Sequence, residues 1–303
     1  MAQKIRISVI ICTYDRKELL NSTLDSLGKQ NFPLESFEVI IVDDGSSDGT
    51  EELCNSFKRT FLNFKYVKSR HSGLSHSRNI GIQHAQGNFI LFTDDDCIVD
   101  KNWIKNFALH HGNKDIISGA VNFDSRNYWS VSHNISQFSN MLPRKRSGKT
   151  KFLIGANMGI KKEVFETIKW FDEKFERAQD MEFGVRAQKY GHMIYFEPRS
   201  IVHHHPPVRC LRDILTYSWN SAKYTIQIRL KYSDILNTPI LLKKVFLLMP
   251  FSPLISLWAT IRIFIRNKEL LKYWYTAPTI FALKLTWCFG AIQALHSKKD
   301  WSN

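Results

Sequence analysis

The chain has 303 residues, 44% of them hydrophobic, and a formal net charge of +14. That composition excludes wholesale disorder and allows one large domain, or one domain with an extension. The five cysteines, Cys12, Cys54, Cys97, Cys210 and Cys288, are scattered, odd in number and form no CxxC pair. This argues against a disulfide framework or a structural zinc site and for a reducing, cytosolic setting. Lys4 and Arg6 precede an apolar run too short for a signal peptide, which passes straight into Thr13-Tyr14-Asp15-Arg16.

Ile5 to Cys12 reads as a buried strand, nearly all apolar and rich in β-branched residues. Lys17 to Lys29 then places Leu19, Leu20, Leu24 and Leu27 at helical spacing. Phe37 to Val42 is a second strand, ending in Asp43-Asp44-Gly45-Ser46-Ser47-Asp48. Asp48 and Glu51 have the spacing of a capping box for the next helix. Phe64 to Lys68 is a third strand, and Ser72 to Ala85 a helix that carries Arg78. Asn88 to Cys97 (NFILFTDDDC) is a buried strand ending in three consecutive carboxylates. Strand and helix alternate over these hundred residues, with polar clusters after the strands, which predicts a doubly wound, mostly parallel sheet. Right-handed crossovers put Thr13, Asp43 and Asp94 on one edge, where ligands bind in such sheets. Adjacent carboxylates repel, so a cation is expected beside them. In an extended backbone side chains at i and i+2 point the same way, so Asp94 and Asp96 are expected to share one face at the carboxyl edge of the strand. Hard oxygen ligands in that position suit Mg²⁺ or Mn²⁺ carrying a phosphate.

Further on, Trp103 to His110 and Lys162 to Trp170 read as helices and Ile116 to Phe123 as a strand. Ser130 to Met141 fits neither pattern cleanly. Arg144 to Lys151 (RKRSGKTK) lacks the strand and helix that flank a P-loop and reads as a mobile loop. Phe152 to Ile160 is apolar with two glycines, as expected where backbone approaches a ligand. Ala178 opens a helix to about Tyr190, stopped by Gly191. His192 to Glu197 is a strand, followed by Pro198 and then by His203-His204-His205.

Composition changes after Pro207. From Pro206 to Asn303 there are 14 Lys and Arg against 4 Asp and Glu, most of the chain's surplus. Leu211 to Leu230 reads as a basic, aromatic helix. Val245 to Ile261, interrupted by Pro250 and Pro253, and Ala277 to Leu295, which contains Lys284, approach the roughly 20 apolar residues of a bilayer span. Their interruptions fit interfacial or re-entrant helices better than clean spans. The expected domains are 1–207 and a basic, apolar helical extension at 208–303.

Taken in order, Ser8-Val9-Ile10-Ile11-Cys12-Thr13-Tyr14-Asp15-Arg16, Val42-Asp43-Asp44-Gly45-Ser46-Ser47-Asp48-Gly49-Thr50, Arg78-Asn79-Ile80-Gly81 and Phe92-Thr93-Asp94-Asp95-Asp96-Cys97 resemble the successive signatures of family 2 glycosyltransferases. Gly155-Ala156-Asn157 and Phe171-Asp172-Glu173 resemble the family's acceptor-side segment. The resemblance covers about Ile5 to Pro207. It implies a GT-A fold and an inverting, metal-dependent hexosyltransferase that uses a nucleotide-diphosphate sugar, with UDP first.

By position, it implies that Thr13 and Tyr14 meet the base region and that Asp43 accepts a hydrogen bond from the base. Arg78 lies near the base or the phosphates, Asp94 approaches the ribose, and Asp95 serves either. Asp96 binds Mn²⁺ or Mg²⁺, with His204 as a second ligand and His203 or His205 as alternatives. Asp180 is the general base. The family's usual Glu-Asp is Gln179-Asp180 here, which removes a neighbouring charge that would raise the pKa of that base.

The implied partners are a nucleotide-sugar donor, a glycan or lipid-linked acceptor, and the cytoplasmic face of a membrane reached through 208–303. The implied setting is cell-envelope polysaccharide assembly, and no nucleic-acid motif is present. Singly, the residues have plainer readings: Asp180 an N-cap, Arg78 a solvated charge, Asp43 a turn residue. Two other functions remain: a nucleotidyltransferase, which lacks its glycine- and lysine-rich loop here, and a non-enzymatic basic binder of membranes or nucleic acid.

Overall fold

The computed structural model describes residues 6–123 and 127–297; Lys4 and Ile5 lie outside them. In chain order the elements are β1 (Ile7–Thr13), α1 (Lys17–Leu27), β2 (Phe37–Asp43), α2 (Thr50–Phe57), β3 (Phe64–Lys68), α3 (Leu74–His84), β4 (Phe89–Thr93) and β5 (Cys97–Val99). They continue with α4 (Trp103–Ala108), β6 (Ile116–Asn122), α5 (Tyr128–Phe138), β7 (Gly148–Thr150), β8 (Asn157–Lys161), α6 (Lys162–Ile168), α7 (Gln179–Lys189) and β9 (Ile194–His204). The last three are α8 (Leu211–Lys231), α9 (Val245–Arg266) and α10 (Ala277–His296). They form two compact units: Met1–Asn122 with Met141–His205, and Phe123–Asn140 with Pro206–Asn303.

The first unit is built on one sheet with strand order β3-β2-β1-β4-β8-β6-β9-β5, β7 pairing with β9. Its first four strands are parallel. β2 is buried at every position, as a strand covered on both faces must be, and so needs no polar alternation. The chain steps from β1 to β2 and β3 on one side and returns to β4 on the other. The order therefore reverses at β1, and a crevice opens beyond the carboxyl ends of β1 and β4. Thr13 is paired with Asp43 in the register, so the polar ends of β1 and β2 lie side by side. Gly87 lets β4 enter beside β1, since a Cβ there would lie 2.8 Å from the backbone of Ile7 and Ser8.

Asp48 acts more widely than a capping box. Its carboxylate accepts from Thr50 N (3.2 Å), Thr50 Oγ1 (2.6 Å) and Lys17 N (2.8 Å). One side chain thus caps the starts of both α1 and α2, and Glu51 is not needed.

Beyond β4 the sheet is mixed. β9 is longer than expected from the sequence, because the chain stays extended through Pro198. Its pairing with β6 jumps from Gly119↔Glu197 to Ala120↔Ile201. Pro198 has no N–H to give a ladder and is accommodated in that irregularity. Asn157, fully buried, ties it down. Its Nδ2 donates to Ala120 O (2.7 Å) and Ser200 O (2.8 Å), and its Oδ1 accepts from Trp103 Nε1 (2.8 Å). The strand then resumes and pairs His204 with Cys97 on β5. In the basic segment 144–151, Gly148–Thr150 pairs with β9 as β7.

In the second unit, α9 runs unbroken through Pro250 and Pro253. Proline 253 leaves the carbonyl of Met249 without its helical donor. The Ser252 hydroxyl donates to that oxygen at 3.0 Å and to Leu248 O at 2.6 Å. Lys268–Thr276 is a 3₁₀ segment leading into α10. Ser130 to Met141, unreadable by pattern, holds α5, whose buried residues include Ser130, Ser132, His133, Asn134 and Ser136.

Replacing Asn157 by Leu removes three hydrogen bonds from a closed site and orphans their partners, at about 1–3 kcal/mol for each group. Urea unfolding of Asn157→Leu is expected to show a stability loss of about 3 kcal/mol or more. A loss below about 1 kcal/mol would mean that Asn157 does not hold the β6–β9 junction.

Candidate active site

All nine residues singled out from the sequence lie in the first unit. β4 ends at Thr93, and Asp95 and Asp96 sit in a turn before β5. The two-residue alternation of a strand therefore stops short of the triplet, and each aspartate has its own surroundings. Asp94 Oδ1 accepts from Arg78 Nη2 (3.2 Å). Asp95 is buried and takes hydrogen bonds from Thr13 Oγ1 (2.8 Å) and Arg16 Nη1 (3.0 Å). The Thr23 hydroxyl donates to its carbonyl at 2.8 Å. Asp96 has Arg16 Nη1 at 3.7 Å from one oxygen and His204 Nε2 at 3.5 Å from the other, and its carbonyl accepts from His205 N (2.8 Å).

Burial pushes the Asp95 carboxyl above its usual range, with Arg16 pulling the other way and Asp96 adding to the rise. Burial would weaken the protonation of Arg16, but Asp95 and Asp96 outweigh it and raise its pKa.

α3 delivers Arg78, which is almost completely buried, with its guanidinium 5.5 Å from the centre of the Phe171 ring. Gly155 makes room for it: a Cβ there would lie 2.5 Å from Arg78 Nη2. The N–H of Gly155 donates to Asp180 Oδ2 at 2.7 Å. Asp180, in the first turn of α7, is not its N-cap, a place taken by Ala178 in a left-handed conformation. A continuous path therefore runs from Asp94 through Arg78 and Gly155 to Asp180. Asp94 lies within the electrostatic reach of Arg78, Asp96, His204 and Asp180.

On the other side of the crevice, Tyr14 is 43% exposed. It stacks on His71, with ring centres 4.1 Å apart and planes 27° off parallel. Asp44 Oδ2 lies 2.9 Å from His71 Nδ1, and its two oxygens accept from Ser72 N (2.9 Å) and Gly73 N (3.0 Å). Asp43 is fully buried and its oxygens are engaged. Oδ1 accepts from Gly45 N (3.1 Å) and Ser46 N (2.8 Å), and Oδ2 from the Tyr66 hydroxyl (2.5 Å). It shapes the turn that follows β2, where Gly45 has φ +95°.

Arg16, Asp44 and His71 were given no role from the sequence. Arg16 and Asp44 stand inside the quoted motifs, and the unpaired charge of the aspartate triplet is the signal that asks for Arg16. His71 has no comparable signal, because its place is set by the pairing of β2 with β3.

Asp96 Oδ, Cys97 Sγ and His204 Nε2 lie within 4.8 Å of one another and are all buried. Burial raises the Cys97 thiol well above its usual range, so the carboxylate and the imidazole are the ready donors. One oxygen and one nitrogen ligand fit Mn²⁺ and, through the carboxylate, Mg²⁺.

Two family models match the chain: Glycosyl transferase family 2 over residues 8–169 and Glycosyl transferase family group 2 over residues 89–290. The glycosyltransferase AglE of Haloferax volcanii is 26% identical over 225 residues, 73% of each chain. The poly(ribitol-phosphate) beta-N-acetylglucosaminyltransferase TarS of Staphylococcus aureus is 36% identical over 106 residues, which are 34% of this chain and 18% of TarS. Among solved structures, the mannosyltransferase PcManGT from Pyrobaculum calidifontis, in complex with GDP-Man and Mn²⁺, superposes with a TM-score of 0.65 at 19% identity. That match covers 98% of this chain and 88% of PcManGT. TarS 1-349 in complex with UDP-GlcNAc superposes with a TM-score of 0.58 at 17% identity, covering 98% and 92%. The chain belongs to glycosyltransferase family 2 and is in class a transferase enzyme, and its fold is GT-A.

Gly155→Ala tests the path from Asp94 to Asp180. The added methyl would lie 2.5 Å from Arg78 Nη2 and force that buried guanidinium off Asp94, so the melting temperature is expected to fall with a stability loss of about 1–3 kcal/mol. Donor turnover (kcat/KM) is expected to fall about tenfold or more, equivalent to about 1.4 kcal/mol. Unchanged turnover would show that Arg78 need not sit against Asp94.

Proposed function

We propose that the protein is a metal-dependent, inverting hexosyltransferase that moves a sugar from a nucleotide-diphosphate donor, a UDP-sugar first, to an acceptor hydroxyl. The observation that carries this reading is the gathering of Asp94, Arg78, Asp96, His204 and Asp180 at one sheet edge. The stacked Tyr14–His71 pair offers a flat surface for the base, and Thr13 fixes the edge through Asp95. Asp43 acts by holding the turn after β2. The base-directed role first given to it passes to Asp44, which lies against His71. Arg78 and Asp94 hold the ribose and diphosphate region.

Asp96 and His204 would hold Mn²⁺ or Mg²⁺, which would supply Lewis-acid charge for the diphosphate leaving group. Asp180 takes the proton from the acceptor hydroxyl. A single displacement needs one such base on the face opposite the leaving group, and inversion follows. The likeness to TarS, whose name gives poly(ribitol-phosphate) as its acceptor, supports cell-envelope glycan assembly as the setting. The helices of 208–303 support peripheral contact with the cytoplasmic face of a membrane, with a glycan or lipid-linked acceptor. By length and composition Val245–Arg266 and Lys268–His296 are apolar enough to cross a bilayer, and we assign them to the interface.

Thermal shift with UDP-, GDP- and dTDP-sugars, with and without Mn²⁺, tests the proposal, with release of the nucleoside diphosphate as the second readout. A UDP-sugar is expected to raise the melting temperature only with Mn²⁺, and Asp96→Ala to abolish that rise. Asp180→Ala is expected to keep the rise and lose transfer by about 10²–10⁴-fold. Normal turnover by Asp180→Ala would remove the base assignment, and a donor shift indifferent to Mn²⁺ would remove the metal.

A further inference from the structure

The helix α9 is inside out for a protein in water. Its buried positions are Leu248, Ser252, Ser256, Thr260 and Phe264, a stripe with three hydroxyls at its centre. Those hydroxyls are used locally: Ser252 donates to Leu248 O, Thr260 to Ser256 O (2.8 Å), and Ser256 faces Cys288 Sγ at 3.8 Å. Its outward positions are Phe246, Met249, Leu254, Trp258 and Ile265, each more than 60% exposed. A helix that turns its hydroxyls inward and its large apolar groups outward suits a hydrocarbon surrounding.

Towards the end of α9 this face deepens into a cavity of about 680 Å³, between α9, the 3₁₀ segment and the start of α10. Leu257, Ile261, Ile265, Leu271 and Phe281 line it. Thr260 also lines it, but its hydroxyl is already spent on a backbone carbonyl. Lys268 is the one charged residue among the lining. The volume falls within the roughly 300–1,000 Å³ of small-molecule sites.

We propose that this cavity holds the hydrocarbon chain of one phosphate-bearing membrane lipid, with the phosphate on Lys268. The wall offers almost no hydrogen-bond partners. A peptide would strand its backbone groups there, whereas a hydrocarbon chain needs none. The single ammonium supplies a point charge for a phosphate. The charges nearby have the same sense: Arg262, Arg266 and Lys272 are exposed, against Glu269 as the one acid between Arg262 and Lys272. Trp274, 71% exposed, adds an interfacial aromatic. The site deepens the membrane contact proposed for 208–303 and does not depend on the transfer chemistry.

The test is calorimetric titration of the full chain with dodecyl phosphate kept below its micelle concentration. Inorganic phosphate and monomeric dodecyl maltoside serve as the chain-free and charge-free probes. Saturable one-to-one binding of dodecyl phosphate is expected, at least tenfold tighter than dodecyl maltoside, with no competition from inorganic phosphate. Ala277→Phe, which fills the cavity, and Lys268→Glu are each expected to weaken it at least tenfold. Lys268 is exposed, so its replacement keeps the test decisive if Ala277→Phe does not fold. Equal affinity for the two dodecyl probes, displacement by inorganic phosphate, or parental affinity in Lys268→Glu would overturn the proposal. The nucleotide-sugar thermal shift, read on the same variants, separates a failure here from a failure of the transferase reading.

Discussion

Three aspartates at the end of one strand cannot stand together uncompensated, and the first unit is arranged around that constraint. Arg16, from the start of α1, covers Asp95 and reaches Asp96. Arg78, from α3, covers Asp94. Each guanidinium comes from a helix that follows a different parallel strand, so the doubly wound order is what brings both to the same edge. The demand spreads outward. Arg78 needs the missing side chain at Gly155, and the amide of Gly155 in turn fixes Asp180. His204 reaches Asp96 only because β9 survives Pro198 and resumes its pairing, which rests on Asn157.

Much of the parallel half was legible because its strands are covered on both faces. β1, β2 and β4 are uninterrupted apolar runs, and each ends in polar residues where the sheet ends. The carboxylates were legible for the same reason. What alternation could not give was their separate surroundings, since Asp95 and Asp96 occupy a turn that is set by distant partners on α1 and β9. β5 and β7, three residues each, carry no periodicity; both exist because β9 offers them an edge. Asp43 and Asp44 look equivalent in a sequence. Only the folded turn separates one whose oxygens accept from Gly45, Ser46 and Tyr66 from one whose oxygens accept from Ser72 and Gly73 beside the Tyr14–His71 stack.

The second unit shows how a sequence rule can fail. Pro250 and Pro253 suggest a break in the apolar run, yet α9 continues because a serine hydroxyl serves a carbonyl that proline leaves unmet. The buried serines and threonine of α9 spend their hydroxyls along the helix itself, apart from the contact of Ser256 with Cys288. Its large apolar residues are left outside. That inversion, visible only once the buried face is known, is what the proposed interfacial role of the basic and apolar tail rests on.

The central claim is that Asp96 and His204 complete their coordination with a divalent ion at the edge where the nucleotide sugar binds. Anomalous diffraction from crystals soaked with Mn²⁺ and a UDP-sugar tests it most directly. The account requires a manganese peak at bonding distance from the Asp96 carboxylate and His204 Nε2, with the diphosphate beside it. A donor bound at this edge with no manganese on Asp96, or manganese bound at a different cluster, would contradict it.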